Sequence, residues 1–225
     1  MIGVPATTLG ARTRWAAAGL GAAGVLFVLY PAVRPFSDET TLEGAAAFAS
    51  TSWLVAHVLA MVGFILTALG TGGLWTALSA TRAERFAFGA AIVTAIGVGL
   101  TLPFYGGEAF GLHAIGEAAL RERSTTILAI SADVRGGAGL VIFLSGLTIL
   151  GLGAVGSAVA VWRSGALARW SGVPFALGFA LYIPQFFWTQ PLRVAHGGLV
   201  ALGCFWIALG LWRRGARADP RSEAA

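Results

Sequence analysis

Three histidines and a glutamate stand out from this chain because almost everything around them is apolar: His57, His113, His196 and Glu108. An ionisable side chain in an apolar segment is costly to keep, so each is a functional-site candidate by default. Imidazole and carboxylate groups serve three chemistries. The first is b-type haem, held by His57 and His196 as axial ligands from different helices. Gly197, Gly198 and Gly203 beside His196 would leave room for a flat macrocycle. The second is a transition metal, for which His57, His113, His196 and Glu108 make a set of three imidazoles and one carboxylate. An open position for water on that metal would make Glu117 a candidate base. The third is acid–base chemistry without metal, with Glu108 as proton donor to a lipid-like or terpenoid substrate. Phe104, Tyr105, Phe110, Phe186, Phe187 and Trp188 would then stabilise positive charge on it. Haem- or metal-based redox chemistry is the leading expectation.

The elements that position these residues follow from composition. The chain is 57% hydrophobic and 11% charged, with mean hydropathy +0.79. A soluble domain carries about a quarter charged residues, so most of this surface cannot face water. Apolar runs of spanning length, about 20 residues, recur without the alternation of a β-barrel. The fold class is therefore all-α: a polytopic membrane bundle. Six spans are expected, near 15–33, 52–78, 86–110, 138–162, 170–188 and 194–212. Pro103 with Gly106 and Gly107 predicts a break or kink in the third span just before Glu108, and Pro174 and Pro184 interrupt the fifth.

Charge sets the expected topology. The net charge of +5 comes from arginine alone, with no lysine in the chain. Alternate connections hold ten arginines (Arg12, Arg14, Arg82, Arg85, Arg163, Arg169, Arg213, Arg214, Arg217 and Arg221), the others five (Arg34, Arg121, Arg123, Arg135 and Arg193). The positive-inside rule puts the richer side, and both termini, in the cytoplasm of a multi-pass cell-membrane protein. Residues 1–214 read as one transmembrane domain and 215–225 as a disordered cytoplasmic tail. On this topology His57, Glu108, His113 and His196 all fall in the outer third. Gln185, Trp188, Gln190 and Arg193 join them there, and Glu108 has Arg193 or a histidine as an expected ion-pair partner.

The longest outer connection, 111–137, carries His113, Glu117 and Arg121 on one helical face at four-residue spacing. An interfacial helix is expected at 128–134. Ala91, Ala95 and Gly99, and Gly139, Gly146, Gly153 and Ser157, are expected to be packing faces, chiefly within the bundle and alternatively between copies in a homo-oligomer. The single cysteine, Cys204, excludes an intramolecular disulfide. The lipid bilayer is the expected surrounding and a small hydrophobic molecule the expected ligand. No basic patch interleaved with aromatics points to nucleic acid. A non-enzymatic accessory or scaffold protein remains the competing class. An exporter is disfavoured, because the inner half lacks polar stations.

Overall fold

A computed structural model describes residues 6–217, with side chains from residue 9. Among these residues the chain is helical and has no strand. Five helices are long and apolar enough to cross a membrane. They are α1 (Ala6–Val33), α3 (Thr51–Leu78), α4 (Glu84–Gly106) with its extension, α7 (Gly137–Ser164) and α9 (Gln190–Arg217). Lipid offers no partner for backbone amides, so apolar segments satisfy them internally as helices. α9 includes residues 215–217 of the expected tail; the remainder of that tail lies outside the described residues.

The helices pack in antiparallel pairs whose contacts are set by small residues. Gly24 of α1 lies on Ala201 and Cys204 of α9, and Gly215 lies on Gly10, so the start of α1 and the end of α9 share one end of the bundle. Gly146 and Gly153 of α7 meet Thr101 and Thr94 of α4. Those two glycines and the buried Ser157 belong to the face expected on α7, whereas Gly139, its fourth member, is exposed and approaches only the Val134 carbonyl. On α4 the expected face is replaced: a Cβ on Gly99 would touch nothing within 4 Å, whereas Gly97 lies against the α7 backbone. Small residues occur on every face of this helix, so a four-residue step among them does not single one out.

Two helices expected to be irregular are so in different ways. The third span does not break at Pro103. α4 passes through one π-turn (Gly107–Gly111) into α5 (Leu112–Glu122), a continuous helical run of 39 residues. Proline lacks an amide hydrogen, and the wide turn four residues later absorbs the irregularity within the helical path. The fifth span is interrupted, as expected, before Pro184, whereas Pro174 lies within its one short helix. Residues 165–189 form a 3-10 turn (Arg169–Ser171), the nine-residue α8 (Gly172–Ala180) and a second 3-10 turn (Pro184–Phe187). This broken segment runs between α7 and α9 from one bundle end to the other: Leu167 lies at Gly210, Phe175 at Gly203 and Gly178 at Val200.

A cap covers the end opposite the start of α1 and the end of α9. α2 (Leu42–Phe48), absent from the sequence reading, starts where the Thr41 hydroxyl accepts the Gly44 amide at 3.2 Å. It packs on α5, where Gly116 meets Ala45 and Phe48. Phe48, Trp53, Leu112, Ala119 and Leu128 form a small core of their own. Residues 128–134, expected to form one short helix, fall in a 3-10 turn (Thr126–Ala129) followed by α6 (Ile130–Arg135).

Candidate functional site

The site is assembled where α3, the π-turn, α6 and the α1–α2 connection meet. Ser50 caps α3 by accepting the Trp53 amide at 3.1 Å. One turn later, the Trp53 carbonyl accepts from His57 Nδ1 at 2.7 Å. A backbone carbonyl only accepts, so Nδ1 carries a hydrogen and Nε2 is the free nitrogen of the neutral ring. The Trp53 indole donates to the Glu108 carbonyl at 2.6 Å, which ties α3 to the π-turn. His57 Nε2 then faces Glu108 Oε2 at 3.6 Å, with the imidazole side chain 1% exposed.

Arg135 completes the group from α6. It grips Glu108 through both oxygens, Nε to Oε1 at 2.6 Å and Nη2 to Oε2 at 3.0 Å. This two-point geometry is the strong arginine–carboxylate form. The third nitrogen, Nη1, donates to Glu39. Glu39 also accepts from Arg34 at 2.9 Å. Burial acts to raise the Glu39 carboxyl, and the hydrogen bonds and charges of Arg135 and Arg34 outweigh it, leaving it below its ordinary value. Arg34 lies between the faces of Phe36 and Trp53. Arg193 is occupied as well, donating to the carbonyls of Trp188 and Phe186. The expected Arg193–Glu108 pair is therefore replaced by Arg135–Glu108, with His57 as the neighbouring histidine.

These polar groups form one side of a cavity of about 440 Å³. The other side is apolar and includes Phe104, Leu140, Phe143, Leu144 and Phe186. Phe104 and Phe143 stack at 4.0 Å, and the Tyr30 and Tyr105 rings lie near His57. Concave, mostly apolar sites with a few convergent polar groups are the usual form of a small-molecule site.

No protein-family model, curated protein or solved structure matches this chain. The reading therefore rests on the geometry of these residues.

Of the four expected site residues, the structure brings His57 and Glu108 together. His113 serves the cap: its Nδ1 bonds the Phe48 carbonyl at 3.0 Å, and its Nε2 lies 3.6 Å from Glu117. Glu117 is half exposed on α5 and does not line the cavity. His196 bonds the Gly178 carbonyl through Nε2 at 2.7 Å, holding α9 to α8. The glycines near His196 that were expected to leave room for a macrocycle mostly serve helix packing: Gly197 lies on Phe27 of α1 and Gly203 on Phe175 of α8. Among the described residues, no group of three or more His, Cys, Asp and Glu is arranged to hold a metal ion.

Sequence reasoning missed Arg135, Glu39, Arg34 and Trp53 as members of the site. Trp53 had a usable signal, four residues before His57 on the same helical face. Arg135 and Glu39 lie in connections, and nothing in their spacing marks them as partners across 96 residues.

Proposed function

We propose that this multi-pass membrane protein binds a small lipid-soluble molecule in the cavity and carries out acid–base chemistry on its head group. The supporting observation is the His57–Glu108 pair at 3.6 Å, set against an apolar wall. His57 exchanges a proton through Nε2, the nitrogen its backbone bond leaves available. Glu108 stabilises the imidazolium that forms. Arg135 fixes the carboxylate, and Trp53 fixes both the tautomer of His57 and the π-turn that carries Glu108. The arginine-poor end of the bundle, where the cavity opens, is the outer face under the positive-inside rule, which makes the ligand one that enters from the outer leaflet of the cell membrane.

The test is to extract the purified protein with organic solvent and compare it with Leu144→Trp, which fills the apolar wall. An apolar compound recovered in near-equal amount from the wild type and lost from the variant is the expected result. Its absence from both, with the wild type folded, would refute ligand binding at this site.

A scaffold role is the second reading. Its support is that all three guanidiniums already hold carboxylates or carbonyls, as a purely structural brace would. Haem or metal redox chemistry has less support than either. It would have to recruit His196 Nε2 from its carbonyl and reopen the packing at Gly197 and Gly203.

A further inference from the structure

We infer, resting on the ligand-binding reading above, that the head group recognised here is a neutral hydroxyl, an alcohol or phenol, donating its hydrogen between His57 Nε2 and Glu108 Oε2. The His57 hydrogen is on Nδ1, committed to the Trp53 carbonyl at 2.7 Å. Nε2 of the neutral ring therefore presents a lone pair. Two-point bonding to Arg135 makes Glu108 a carboxylate, which only accepts. The two acceptors face each other at 3.6 Å, too far for a hydrogen bond between them. Facing lone pairs call for a donor, and a hydroxyl seated against both supplies one.

The surrounding charges select among donors. An ammonium head would meet Arg34, Arg135 and Arg193 against only Glu39 and Glu108 on the cavity wall, a lining of net positive charge, and like charges at close range repel. A phosphate or carboxylate head would need an arginine fork. Arg135 is spent on Glu108 and Glu39 and Arg193 on two carbonyls, while Arg34 gives one nitrogen to Glu39 and lies over the Phe36 and Trp53 rings. A neutral hydroxyl meets neither obstacle. The wall formed by Phe104, Phe143, Leu140 and Leu144 then requires an apolar body, aromatic or aliphatic.

The test uses the full chain in nanodiscs and three probes of nearly one size: 4-pentylphenol, 4-pentylanisole and pentylbenzene. Binding is measured by equilibrium dialysis, with empty nanodiscs subtracted. The phenol should bind about tenfold tighter than the anisole, the usual effect of one hydrogen bond to a buried charged acceptor. His57→Phe and Glu108→Gln should each reduce that preference towards onefold while pentylbenzene binding stays. A variant that fails to fold is recognised by loss of pentylbenzene binding, and the other then decides. Equal binding of all three probes to the wild type would overturn the hydroxyl inference and leave the cavity reading intact. Retention of the preference in both folded variants would also overturn it. No binding of any probe would refute the cavity reading itself.

Discussion

Replacing Arg135 with methionine removes one cation from two carboxylates at once. The Arg135, Glu108 and Glu39 side chains are 27%, 12% and 32% exposed. Breaking a fully buried ion pair costs about 3–5 kcal/mol, because the remaining charge is stranded. A fully exposed pair is worth about 0–1 kcal/mol. The partial burial of this triad places Arg135→Met between them, at a loss of about 2–3 kcal/mol. Most of that loss is the stranding of Glu108, the less exposed acid. Adding Glu108→Gln to the variant should therefore restore about half of the loss, although Glu108→Gln alone destabilises the wild type. Equilibrium unfolding in mixed micelles, followed by tryptophan fluorescence, measures all four members of the cycle. A single-variant loss below about 0.5 kcal/mol, or strict additivity of the two substitutions, would refute the argument that the site is an electrostatic unit.

Three further outcomes follow from the geometry. Glu39 has a folded-state value below its ordinary 4.5, so its contribution is present above that pH and is lost as pH falls through the lower folded value; acid unfolding of Glu39→Gln should show a shallower loss of stability below pH 4.5 than the wild type. Gly203→Val would drive a side chain into the Phe175 backbone and should cost at least about 1–3 kcal/mol in the same assay, whereas Gly198→Ala, with nothing within 4 Å of its Cβ, should be near neutral. Trp53→Phe deletes the 2.6 Å bond to the Glu108 carbonyl; it should cost about 0.5–1.5 kcal/mol and speed amide exchange in the π-turn, and unchanged exchange there would show that the indole does not hold it.

The fold class was legible because hydropathy acts locally: an apolar run of spanning length has few alternatives to a helix. The long helices therefore appeared close to their expected positions. The failures share a different cause. Pro103 and Gly107 announce irregularity, but whether a chain breaks or takes a wide turn depends on partners such as Trp53, which are distant in sequence. Residues 170–188 read as one span interrupted by prolines; how short its helix is depends on the close approaches at Gly172 and Gly178 to α7 and α9. His57 and Glu108 were legible as polar exceptions at one depth. The partition of the three histidines was not, because each ring is assigned by a carbonyl from another residue, and carbonyls leave no mark on a sequence. Arg135 was visible as a charge and counted towards topology, while its role as a bridge depended on the folding of the cap.

The broken crossing between α7 and α9 also bears on biogenesis. α8 is nine residues long, or about 14 Å at about 1.5 Å per residue, less than half of a hydrocarbon core of about 30 Å. An insertion machinery that releases segments sideways according to their apolar helical length would pass the five long helices one by one. It would find no such segment in residues 165–189. Their crossing finds its packing partners only when α7 and α9 stand on either side, so it is completed after α9 has left the ribosome. The order of assembly is then fixed at its end. The segment carrying Phe186, one wall of the cavity, is then seated after α9, and the site closes only once that helix is in place.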